Sequence, residues 1–178
     1  MYEYQAVLDF WFKELKPEQW YKKDPELDRL IISRFGDLHA RTAAGELFGW
    51  RTTPEGRVAE IIVLDQFSRN MFRDSARAFA YDGMALIMAQ EAVSAGVLDK
   101  VGEFQQNLIL MPYMHSESAL VHEQAVTLRK SYHLDLGWEQ KHKEIIDRFG
   151  RYPHRNDLLG RISTTEEVEF LKQPGSSF

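Results

Sequence analysis

The 178-residue sequence predicts an all-α fold. Apolar residues recur three and four positions apart along nearly the whole chain, and strict apolar/polar alternation is almost absent. Proline, glycine and capping residues then cut this pattern into segments of helical length. About seven or eight helices are expected. Short connections make successive helices antiparallel neighbours, so a stack of helix hairpins over residues 1–172, one domain with one core, is the simplest arrangement.

The first helix is expected over residues 2–14, with Val7, Leu8, Trp11, Phe12 and Leu15 on one stripe and Pro17 closing it. Residues 18–24 connect it to a second helix, which Pro25 opens and which buries Leu27, Leu30, Ile31 and Phe35 before fading between Gly45 and Gly49. Thr53-Pro54-Glu55 starts the third and most apolar helix: threonine caps, proline suits the first helical position, and glutamate meets the positive end of the dipole. A fourth helix over residues 76–95 carries the small residues Ala85, Ala89 and Ala92, with Gly96 as its C-cap. The fifth covers residues 102–111 and stops at Pro112; the sixth starts at Ser116 or Ser118 and ends at Ser131. The seventh covers residues 138–149, ending at Gly150 with Pro153 beyond. Thr164-Thr165-Glu166-Glu167 reads as a capping box for a short last helix holding Val168, Phe170 and Leu171, and residues 173–178 form a flexible tail. His142 shares a face with Trp138, Ile145, Ile146 and Phe149 and reads as a core histidine, whereas His39 and His133 read as surface or turn residues. The four tryptophans read as core.

Composition excludes several chemistries. With no cysteine, thiol nucleophiles, thiolate metal sites and disulfide frameworks are ruled out, and a reducing cytoplasm is the expected location. No apolar run reaches the ~20 residues of a membrane span. A formal charge of −5 argues against general nucleic-acid binding. There is no GxG spacing, GxxxxGK loop, GxSxG elbow or EF-hand loop, His122-Glu123 lacks the second histidine of HExxH, and no cofactor or metal is expected.

Three polar groups stand out. In the third helix Asp65, Arg69 and Arg73 continue the azimuth of Val58 and Ile62, with Gln66 and Asn70 alongside. They read either as an internal ion-pair network in which Asp65 or Asp82 neutralises the arginines, or as a groove whose arginines grip an anion. After the seventh helix, Arg148, Arg151, His154 and Arg155 with Asn156, followed by Arg161, crowd a turn fixed by Gly150 and Pro153; they read as an anion cradle or as cations that cap the helix and pair with nearby acids. Met114-His115-Ser116-Glu117 occupies the break before the sixth helix, where the serines read as N-caps and His115 beside Glu117 could act as a general base or form a buried pair.

These segments carry a resemblance. Val7-Leu8-Asp9-Phe10-Trp11-Phe12, the run Leu64 to Arg73 with Ala78-Phe79-Ala80-Tyr81-Asp82, Met114-His115-Ser116-Glu117, and the run Arg148 to Asn156 followed by Leu159-Gly160-Arg161 together resemble the bacterial family known as domain of unknown function 924. Ser68 stands where that family often has proline, and Tyr152 where it often has phenylalanine. The resemblance implies a tetratricopeptide-like right-handed stack of helix hairpins and no assigned activity.

The leading functional expectation is a binding module for an anionic partner, a peptide carboxylate or acidic segment, on a groove lined by Asp65, Gln66, Arg69, Asn70, Arg73, His115, Arg151, His154, Arg155 and Asn156. One alternative is an enzyme for a small phosphate or carboxylate, with His115 or His154 as general acid/base and Glu117 orienting it. The other is a purely structural buried network. The aromatic residues of the first helix would serve a dimer as readily as a core.

Overall fold

A computed structural model describes residues 3–177, and among the described residues every regular element is helical. The elements form eight continuous helices. Helix α1, residues 3–14, is α-helical over Glu3–Asp9 and π-helical over Phe10–Glu14. Helix α2 is Pro25–Ala43. Helix α3, residues 54–71, runs as α over Pro54–Ile61, π over Ile62–Phe67 and α over Ser68–Met71. Then follow α4 (Asp82–Ser94), α5 (Glu103–Met114), α6 (Ala119–Ser131), α7 (Gly137–Phe149) and α8 (Thr165–Leu171). The expected start of α1 at Tyr2 and the end of the tail at Phe178 lie outside the described residues. The chain divides into two compact units: residues up to 73 with 77–112, and residues 74–76 with those from 113 onward.

The first unit is built on aromatic packing. Phe10, Phe35 and Phe67 bring α1, α2 and α3 together at ring separations of 4.9–6.0 Å, and Trp11 stacks on Trp20. Rings at these distances add edge-to-face attraction to the area they bury. Val7, Leu8, Trp11 and Leu15 are buried as expected, but Phe10 replaces Phe12 in the core. The π-turn that begins at Phe10 widens the helix and shifts the phase of the stripe. On α2, Leu27, Ile31 and Phe35 are buried and Leu30 is exposed, since the inward row at four-residue spacing runs Leu27, Ile31, Phe35, His39. His39 is therefore a core residue, contrary to the surface assignment.

Helix α3 opens as the sequence predicts, Thr53 Oγ1 accepting from the Gly56 N–H at 3.0 Å with Pro54 at the first position. Gly56 is forced: a Cβ there would lie 2.1 Å from the Trp50 carbonyl oxygen, a backbone atom that cannot swing aside. Gly56→Ala is expected to cost about 1–3 kcal/mol in overpacking, read as a lower urea midpoint at unchanged m-value. Helix α4 starts later than expected. Ala76–Phe79 is a 3-10 turn, and the break at Tyr81 sets that ring 5.1 Å from His39 and puts Asp82 within reach of Arg69. Pro112 does not stop α5, which continues to Met114. Proline removes one hydrogen bond to the preceding turn, and only two helical residues follow it, both buried.

The second unit packs Tyr152 against Ile145 and Ile146 of α7, flanked by Phe149 and Phe170. Helix α7 ends at Gly150, whose φ of +68° is the left-handed conformation that favours glycine. Helix α8 carries the expected capping box, Thr164 with Glu167. Ser118 occupies the N-cap position of α6 without a side-chain cap bond, and Trp138 and Val168 are exposed rather than core, each at the outer edge of its helix stripe. In the expected tail, Ser176 is buried and donates to the Leu171 carbonyl.

Candidate functional site

The polar stripe of α3 is an ion-pair network within the first unit. Arg69 Nη1 lies 3.1 Å from Asp65 Oδ1, and its two terminal nitrogens reach the Asp82 carboxylate at 3.0 and 3.1 Å. Gln66 donates to Asp65 at 2.6 Å. Asn70 and Arg73 converge on Asp28 of α2, at 2.8 Å and at 2.6 and 2.8 Å. Burial raises the Asp28 pKa, but the hydrogen bonds from Arg73 and Asn70 outweigh it and hold the carboxyl below its ordinary range. The π-turn contributes directly: the carbonyls of Leu64 and Asp65 accept from Ser68 Oγ and from Arg69 Nη1.

In the second unit the basic residues gather around Tyr152. The Arg155 guanidinium sits 4.5 Å from the Tyr152 ring centroid and donates to the His115 carbonyl at 3.1 Å. Ring centroids of His154 and His142 lie 5.6 and 5.8 Å from that ring, and His115 lies 6.4 Å from His142. Glu117, expected to favour the helix dipole, instead accepts both terminal nitrogens of Arg161 and the Tyr152 N–H. Burial raises its pKa, and those donors overcome the effect and hold it low. Arg151 turns to Glu167 and the Ile162 carbonyl, and Asn156 links Arg161 to Ser163.

Beneath Tyr152 lies a fully enclosed pair. His122 Nδ1 and Glu139 Oε1 are 2.5 Å apart and both side chains are 0% exposed. His122 Nε2 donates to the Ser116 carbonyl, and the Tyr152 hydroxyl donates to the Met114 carbonyl. One proton is left for the short His122–Glu139 contact, so the pair carries no net charge whichever atom holds it. A general acid/base must reach the proton it moves. This pair cannot, and its part is structural.

A cavity of about 280 Å³ opens in the first unit between α2 and the chain around residues 71–81. Ile32, Met71, Phe72 and Tyr81 form its walls, with His39 and Arg77 as its basic groups. Burial, with the Arg77 charge adding to it, lowers the His39 pKa, so the imidazole is neutral at pH 7. Among the described residues no group of three or more His, Asp or Glu side chains is placed to hold a metal ion, and no helix is long and apolar enough to cross a membrane.

The sequence matches the family described as "Bacterial protein of unknown function (DUF924)" over residues 7–175. The chain belongs to this family. A solved structure, "Structure of Protein of Unknown Function ATU0120 from Agrobacterium tumefaciens", is 35% identical and superposes with a TM-score of 0.89, covering 95% of this chain and 96% of the other. No curated protein matches the sequence.

For this DUF924 chain, sequence reasoning reached Asp65, Gln66, Arg69, Asn70, Arg73, His115, Arg151, His154, Arg155 and Asn156, and the structure places them in two separately described groups. It missed Asp28, Ser68 and Glu139, and it misassigned His39. The row Ile31, Phe35, His39 carried a signal for the last; the partnership of His122 with Glu139, 17 residues away, has no local signature.

Burial pushes the His142 pKa down to about 3, against a bond from Nδ1 to the Trp138 carbonyl that partly supports the proton. The unfolded chain takes up this proton near pH 6.5 and the folded chain refuses it until about 3, so stability is full above 6.5 and falls through that window. The expected loss approaches ~1.4 kcal/mol per pH unit. Urea melts from pH 7 to 4 should show a shallower slope for His142→Gln; an identical slope would count against it.

Proposed function

We propose that this DUF924 chain is a helical binding module that takes a carboxylate-bearing partner, a peptide C-terminus or an acidic segment, on the His115, His154 and Arg155 cluster. The observation that supports it is the gathering of four imidazoles and one guanidinium around a single tyrosine in a chain of net charge −5. A planar guanidinium recognises carboxylates through forked hydrogen bonds. Arg69, Arg73 and Arg151, engaged with Asp82, Asp28 and Glu167, serve the fold in this reading rather than the partner. A tetratricopeptide-like stacking of the hairpins and a cytoplasmic setting belong to the same proposal.

The test is calorimetry with two acidic peptides that differ only in a free or an amidated C-terminus. Saturable binding of the free form, weakened roughly tenfold by amidation and by Arg155→Ala or His154→Ala, is the expected result. Equal affinity for both peptides, or no heat from either, overturns it. Consumption of a small carboxylate would replace it with the enzyme reading built on His115 or His154.

A further inference from the structure

The cavity between α2 and residues 71–81 belongs to the first unit and has no part in the Tyr152 cluster. We propose that it is a binding site for a single-ring aromatic carboxylate that also carries a hydroxyl or amine donor. Three features of its lining specify that chemistry.

The first is a fixed hydrogen-bond acceptor. Ser68 Oγ donates to the Leu64 carbonyl at 2.6 Å, so its oxygen can only accept from His39, whose Nε2 lies 2.8 Å away. His39 Nε2 therefore carries the proton, and Nδ1 presents a lone pair. The imidazole is 97% buried, from a relative exposure of 3%, and it lines the cavity with Nε2 committed to the protein behind it. The lone pair is what it offers a ligand, and it calls for an N–H or O–H.

The second is shape. His39 meets Phe72 and Tyr81 edge-on, at centroid separations of 5.3 and 5.1 Å, and Ile32 and Met71 complete the apolar wall. A volume of about 280 Å³ suits one ring with a short substituent. The third is charge. Arg77 lies over the Phe72 ring at 3.9 Å, and none of the residues lining the cavity is acidic, so the field inside is positive. A carboxylate on the ligand answers it.

The experiment is calorimetry of the full chain at pH 7.5 with 4-hydroxyphenylacetate, alongside phenylacetate, which lacks the donor, and 4-hydroxyphenylacetamide, which lacks the charge. The expected result is saturable one-to-one binding of the first, with each comparator roughly tenfold weaker. Arg77→Gln should weaken it by a similar factor, and Arg155→Ala should leave it unchanged. Gly36→Leu supplies the control for folding. A Cβ at Gly36 meets nothing within 4 Å, and leucine favours helix over glycine, so this variant should fold as well as the parent while its side chain fills the cavity. Loss of binding with an undiminished Tm supports the site. No saturation in the parent chain, equal affinity for all three compounds, or full binding by Gly36→Leu overturns it.

Discussion

Glu139→Ala is expected to destabilise the second unit by about 3–5 kcal/mol, the cost of stranding one member of a buried ion pair. Its carboxylate lies 2.5 Å from His122 Nδ1 with neither side chain exposed, and the other oxygen lies 3.8 Å from Arg129 Nε. Alanine leaves His122 without its Nδ1 partner, takes away negative charge near Arg129, and opens a cavity where the carboxylate was. Glu139→Gln keeps the volume and one polar contact and should lose less. The readout is urea unfolding followed by circular dichroism at pH 7. A loss under about 1 kcal/mol for Glu139→Ala would mean that water enters the site, and the enclosed pair would have to be abandoned.

Arg69→Ala is the counterpart in the first unit, with an expected loss of about 3–5 kcal/mol. The guanidinium bridges Asp65, 1% exposed, and Asp82, and it also donates to the Asp65 backbone carbonyl. Its removal leaves the Asp65 carboxylate in a low-dielectric setting with Gln66 as its remaining donor in that network. Lysine cannot rescue the variant fully, because one ammonium cannot reproduce the forked contact to Asp82. Against a total stability of about 5–15 kcal/mol, either loss is a large fraction. If Asp82→Ala proves as damaging as Arg69→Ala, the pair with Asp82 rather than the cover of Asp65 is what matters.

The sequence carries most of the helical plan because its punctuation is local: Thr53 with Pro54, Gly150 with Pro153, and Thr164 with Glu167 each act within one turn. Features that depend on non-local partners escape it. Pro112 reads as a stop, yet the burial of Tyr113 and Met114 carries α5 past it. Glu117 reads as a first-turn acid, yet Arg161, 44 positions away, claims it. His39 reads as a surface residue until Ser68, 29 positions on, supplies its bond. The i,i+4 relation of Asp65 and Arg69 was legible; the convergence of Asn70 and Arg73 on Asp28 was not, since it joins two helices.

The π-turn over Ile62–Phe67 has a consequence for chain length. A π-turn amounts to one extra residue in an α-helix, and deleting any one of residues 62–67 would restore α geometry and rotate all that follows by about 100°. Ser68 would turn away from His39, Arg69 from Asp82, and Arg73 from Asp28. Composition and hydropathy would hardly change, yet three partnerships would be cut at one stroke. In this stretch a substitution is a local edit, whereas a one-codon deletion is a frameshift in three dimensions.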